Sequence, residues 1–133
     1  MYEELLAGVP LLQELSHREL TWLGDACRER DYAPDAVLAR QGGGSLGLVL
    51  VVAGSVRLTQ RQDDGADRDL GRLTPGAVWG EAALLEEAPC PVTLTAVETT
   101  RAVVLPIWDF RTTLREYPDL ANHLLAMLSR RLG

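Results

Sequence analysis

Between Trp79 and Pro91 the chain reads Trp79-Gly80-Glu81-Ala82-Ala83-Leu84-Leu85-Glu86-Glu87-Ala88-Pro89-Cys90-Pro91. Strand-like pattern on either side is broken there by about one and a half helical turns, Gly80 to Glu87. A short helix set between strands presents backbone N–H groups at its start, and these with the helix dipole favour an anion. Gly80 would let such a ligand approach the backbone closely. Glu81 has two readings: an acceptor for a ligand hydroxyl, or a carboxylate placed where the dipole of a helical turn favours it with no ligand at all. Many surface helical turns hold no anion, so these residues alone define a weak signal.

Other reactive residue types are sparse. Cys27 and Cys90 lie in unrelated contexts without CxxC spacing, which argues against a disulfide framework or a zinc site. Cys27 falls on the apolar face of a helical stretch with Leu20 and Leu23 and is expected to pack there. Nothing basic adjoins Cys90 to lower its pKa, so it reads as filler rather than as a redox or covalent centre. A metal site inside a β-barrel would need several His and carboxylates converging from strands. The only histidines, His17 and His123, both fall on helical patterns. No Ser-His-Asp or paired-carboxylate arrangement stands out, and Glu86-Glu87 reads as a solvated helix end. The expectation is a non-enzymatic chain with no catalytic residue, no metal ligand and no resident cofactor.

The elements that must position the 79–91 stretch follow from periodicity. A short helical piece lies around Glu3 to Ala7, and Ser16 followed by Glu19 is a capping box opening a helix expected to run to about Glu29. From Arg30 to Leu105 apolar residues alternate or come in short runs, with Val, Thr and Leu enriched. Strands are expected near Asp31–Ala33, Val37–Arg40, Leu46–Ala53, Ser55–Gln60, Asp67–Leu73, Pro91–Val97 and Arg101–Leu105, punctuated by Gly42-Gly43-Gly44, Gly54, Asp64-Gly65 and Pro75-Gly76. Val56 and Leu58 face one way, Arg57 and Thr59 the other. Val92, Leu94 and Ala96 likewise point inward and Thr93 and Thr95 outward, as in an antiparallel sheet with one wet face. Several such strands joined by turns make a barrel, roll or sandwich. After Pro106 the period is helical again, with Ile107, Phe110, Leu114 and Tyr117 on one face, and Pro118 fits the first turn of a final helix. That helix carries Leu120, Leu124, Leu125, Met127, Leu128 and Leu132, a stripe wide enough for packing within the chain or for a seam with a second chain. The fold class expected is α+β, mainly β: an antiparallel β-roll or jelly-roll barrel with an N-terminal helix and two C-terminal helices. One domain, 1–133, would comprise a helical N-terminus 1–29, a β-roll 30–105 and C-terminal helices 107–132.

Composition limits the partners. With 47% apolar residues in 133, a continuous core is affordable. All 13 basic residues are Arg, and 19 acidic ones leave a formal net charge of −6, so the surface repels phosphate backbones and no direct nucleic-acid binding is expected. The longest apolar run, Leu46 to Ala53, falls far short of the roughly 20 residues of a membrane helix. The start, MYEELLAG, lacks the basic opening of a signal peptide, so a cytoplasmic location is expected.

Taken in order, PLLQELSHREL, the Gln41-Gly42 turn, LGLVLVVAGSVRL, Asp64-Gly65, LTPGAVWGEAALL and YPDLANHLLAMLSRRL resemble cyclic-nucleotide-binding domains over nearly the whole chain, and especially the sensor half of catabolite-activator-like bacterial regulators. The resemblance implies a phosphate-binding cassette, in which Phe-Gly-Glu, a short helix and Pro-Arg-Ala/Thr hold a cyclic nucleotide such as cAMP or cGMP. In it the Glu accepts from the ribose 2′-hydroxyl, the helix N–H groups meet the cyclic phosphate and the Arg neutralises it. Gly80, Glu81 and Pro89 match, and Ala82 and Ala83 would supply the N–H groups. Cys90 stands where the cassette Arg should be, and Pro91, which has no backbone donor, where the family has Ser, Thr or Ala. Arg72 or Arg101 on a neighbouring strand is the available substitute.

Two functions follow as expectations. One is a regulatory, ligand-sensing domain of signal transduction, with a cyclic nucleotide or other small anion at Gly80, Glu81, Ala82, Ala83, Cys90 and Pro91, whose C-terminal helices relay occupancy and serve a homodimer. The other is the same fold with a degenerate, empty pocket, acting as a dimerisation or protein-interaction module.

Overall fold

The computed structural model describes residues 1–86 and 88–132, without the side chain of Leu132. It divides into two compact units: Arg28–Ile107, which contains all the strands, and a helical unit made of Met1–Cys27 and the segment from Trp108 onward.

The β unit is built from β1 (Arg28–Tyr32), β2 (Val37–Ala39), β3 (Leu48–Ala53), β4 (Val56–Arg61), β5 (Asp67–Leu73), β6 (Val78–Trp79), β7 (Thr93–Ala96) and β8 (Thr100–Leu105). They form two four-stranded antiparallel sheets, ordered β1-β8-β3-β6 and β2-β7-β4-β5. The roll expected from the sequence is present, but it does not close into a barrel: the two sheets stay separate, each with edge strands. Both sheets feed one core. Val49 and Val51 from β3 and Ala102 from β8 meet Val56, Leu58, Leu94 and Ala96 from the other sheet. The alternation legible in β4 and β7 has the predicted sense, for Val56, Leu58, Val92, Leu94 and Ala96 are buried while Arg57, Thr59, Thr93 and Thr95 are not.

The helical unit contains α1 (Glu3–Ala7), a 3-10 turn at Pro10–Leu12, α2 (His17–Asp25), most of α4 (Ile107–Glu116), and α5 (Pro118–Leu132). The capping box at the start of α2 is complete: Ser16 Oγ accepts from the Glu19 N–H at 3.2 Å, and the Ser16 N–H donates to Glu19 Oε1 at 2.9 Å. That same carboxylate receives His123 Nδ1 of α5 at 2.9 Å. Trp22 stacks on Tyr117 with centroids 4.1 Å apart, and Arg130 reaches Glu14 at 2.7 Å. The N-terminal segment thus meets the chain from Tyr117, just before α5, to Arg130 near its end.

Further sequence expectations are corrected. The helix begun at Ser16 ends at Asp25 rather than near Glu29, because residues 28–32 are taken up by pairing with β8, Arg28 opposite Val104 and Tyr32 opposite Thr100. The strand expected at Asp31–Ala33 therefore starts three residues earlier. Cys27 lies past the end of α2 rather than on its face; it is buried, and its Sγ–H donates to the Leu23 carbonyl at 3.5 Å. Finally, β6 adds a strand of two residues, too short to leave a periodic trace.

Candidate functional site

The expected cassette is anchored by backbone contacts that only glycine permits. After β6 the chain turns at Gly80, with φ +94°, and enters α3 (Glu81–Leu85). A Cβ on Gly80 would collide with the carbonyl oxygen of Gly47. Gly47 has φ +105°, and its own Cβ would run into the Leu105 carbonyl oxygen and lie 2.9 Å from the Ile107 nitrogen. The cassette turn therefore rests on Gly47, and Gly47 on the junction where β8 passes through Pro106 into α4.

The far side of the cassette is fixed by the glycine turn between β2 and β3. The Gly42 N–H donates to the Cys90 carbonyl at 2.8 Å, and the Cys90 N–H donates to the Gly43 carbonyl at 2.9 Å. Gln41 pins this turn to β4: its Nε2 donates to the Arg61 carbonyl at 3.1 Å and its Oε1 accepts from the Arg61 N–H at 2.6 Å.

These two supports hold open a pocket of about 340 Å³. Of the six residues singled out in the sequence, Gly80, Ala82, Ala83, Cys90 and Pro91 line it; Glu81 sits half-buried on the same turn without lining it. Trp79, Pro89, Ala88, Glu86 and Ser45 are the other described residues of the wall. Trp79 was visible as the residue before Gly80. Ser45 carried no signal, since only the glycine turn brings it across from a position 35 residues upstream of Gly80. Glu86 is exposed as expected of a solvated helix end; its companion Glu87 lies outside the described residues.

Two of the polar groups of the pocket are spent within the fold. Cys90 is 4% exposed, and its Sγ–H donates to the Val92 carbonyl at 3.0 Å. The Ala83 N–H donates to the Gly80 carbonyl at 3.0 Å. Neither arginine considered as a substitute lines the pocket: Arg72 is exposed on β5 opposite Arg57, and Arg101 pairs with Asp31 at 3.0 Å and Glu29 at 3.2 Å on the β1-β8 surface. A larger cleft of about 870 Å³ lies on the wet face of β2-β7-β4-β5, where Arg40, Arg57 and Arg61 alternate with Asp67, Asp69 and threonines. Arg61 is paired with Asp67 there at 3.2 Å, and this open surface, with three arginines against two aspartates, has the character of a solvated sheet face.

Comparison with known proteins agrees with this fold. Residues 29–117 match the model of the cyclic nucleotide-binding domain. Over 127 residues the chain is 33% identical to the cyclic AMP receptor protein of Thermus thermophilus, covering 96% of this chain and 59% of that protein. Over 89 residues it is 35% identical to the cAMP-dependent protein kinase type II regulatory subunit of Drosophila melanogaster, covering 67% of this chain and 23% of the relative. The chain thus spans little more than half of the first and less than a quarter of the second. Among solved structures it superposes on the N-terminal domain of a transcriptional regulator from Streptomyces coelicolor A3(2), with TM-score 0.82 and 27% identity, covering 96% of this chain and 91% of that one.

Proposed function

The chain belongs to the cyclic nucleotide-binding domain family, and from that premise we propose that it is a non-enzymatic sensor whose 79–91 pocket takes a small nucleotide-like ligand and whose C-terminal helices report occupancy. The observation that carries the proposal is the stack of backbone contacts from Gly80 to Gly47 to Leu105–Ile107. A ligand that shifts the cassette turn presses through it on the start of α4, with no flexible side chain between to absorb the movement. Rigid, closely packed backbone is the kind of path along which a small displacement is transmitted.

The test is thermal shift and calorimetry of the chain with adenosine, guanosine, cAMP and cGMP, beside Ala82→Trp. Ala82 is exposed and lines the pocket, so the indole fills the site without disturbing the core. Saturable binding to the parent chain that disappears in Ala82→Trp supports the sensor. Absence of binding by all four at millimolar concentration favours the second reading, a docking or dimerisation module with a degenerate pocket. The specific observation behind that alternative is Cys90, whose buried, self-satisfied thiol occupies the cassette arginine's position.

A further inference from the structure

We infer that the 79–91 pocket selects an uncharged, nucleoside-type ligand and discriminates against the cyclic phosphate; this rests on the sensor reading above. Every Arg and His of the sequence is among the described residues, and none of them lines the pocket. Among the described residues, the carboxylate in the lining is that of Glu86. A phosphate entering there would give up its hydration without gaining an opposite charge, and would meet Glu86 as a like charge.

The Cys90 thiol is committed to the Val92 carbonyl, Pro91 has no N–H, and the Ala83 N–H is committed to the Gly80 carbonyl. Other neutral donor groups of the lining residues, such as the Ser45 hydroxyl and the Trp79 indole N–H, serve a ribose hydroxyl or a base as well as a phosphate and offset no charge. With five residues, α3 closes little more than one turn, so only a small part of a helix dipole is available. What the lining does offer is apolar surface from Ala82, Ala83, Pro89 and Pro91 and the indole of Trp79, against which a flat heterocycle packs well. A nucleoside keeps the base and ribose that such a pocket accepts and leaves out the group that it penalises.

The matched pairs adenosine against cAMP and guanosine against cGMP isolate the charge on a nearly constant scaffold. Isothermal titration of the parent chain is expected to show at least one nucleoside binding tenfold or more tighter than its own cyclic phosphate. Ala82→Trp is expected to abolish that binding. Introducing a cation at the mouth, as Pro91→Arg, is expected to reverse the order; Pro91 is exposed, so this variant keeps the core intact where Cys90→Arg would enter it. A cyclic nucleotide that binds the parent chain as tightly as its nucleoside overturns the selectivity and leaves the sensor reading standing. No binding by any of the four overturns both.

Discussion

At the scale of single residues the site depends on backbone that tolerates no side chain. Gly80 has φ +94°, and the space where its Cβ would lie is occupied by the Gly47 carbonyl. Gly80→Ala therefore combines left-handed strain with a backbone clash, and a loss of at least about 2 kcal/mol is expected, since a strained φ alone costs on the order of 1–3 kcal/mol. Urea denaturation reads this directly; a parent-like midpoint would mean that the turn can relax away from Gly47. Arg101 provides the opposite case. Its guanidinium is raised above its ordinary pKa by the Asp31 hydrogen bond and by the charges of Asp31 and Glu29, yet the side chain is 54% exposed. Exposed pairs of this kind contribute little. Arg101→Ala is expected to leave both the melting temperature and ligand affinity unchanged, and a loss of affinity would show that Arg101 serves the pocket after all. Most of the site was legible at this scale, because Gly80, Ala82, Ala83, Cys90 and Pro91 are nearly contiguous. Ser45 was not, because its place in the wall is set by the hydrogen bonds of Gly42 and Gly43 to Cys90 and not by anything local.

At the scale of elements, legibility follows how each strand is stabilised. β7 alternates Thr93-Leu94-Thr95-Ala96 between β2 and β4, and its inward face was plain from the sequence. Leu94 is fully buried there, so Leu94→Ala is expected to cost about 2–5 kcal/mol by transfer and cavity terms, measured by the same denaturation. β1, with sequence Arg-Glu-Arg-Asp-Tyr, lacks apolar alternation, and of its residues Tyr32 packs on the core; its backbone pairing with β8 makes it a strand, and periodicity alone extends the helix into it. The helical elements carry a pH-dependent link. Burial pushes the Glu19 carboxyl up, but the Ser16 N–H, His123 and the Ser16 hydroxyl outweigh it and hold the group below its ordinary 4.5. A carboxyl depressed in the folded state stabilises it above the unfolded value and loses that contribution as pH falls through the folded one. Stability is therefore expected to decline as pH drops below about 4.5, and Glu19→Gln to flatten that decline; thermal melts between pH 7 and 3 with unchanged slope in the variant would place the acid sensitivity elsewhere.

At the scale of the whole molecule, the final helix decides whether the chain acts alone. α5 buries Leu120, Leu124 and Met127, but leaves Leu125 62% exposed, and Ala121, Leu125 and Leu128 follow one another at i, i+4 and i+7. That spacing is the a/d seam of a two-stranded coil, lying on a different stripe from the buried residues. Its polar side is already engaged, since His123 and Arg130 are held by Glu19 and Glu14, so the helix is fixed in rotation with Leu125 facing out. A second copy of the same helix is the simplest occupant, because a self-complementary stripe closes with two-fold symmetry and needs no other partner. Sedimentation of the parent chain at about 100 μM, well above the micromolar range that such a seam would need, is expected to give twice the 14.5 kDa monomer mass. Leu125→Asp is expected to give the monomer with an unaltered β-sheet signature, since the residue is not part of either core. If both sediment as monomers, the two-fold seam is ruled out.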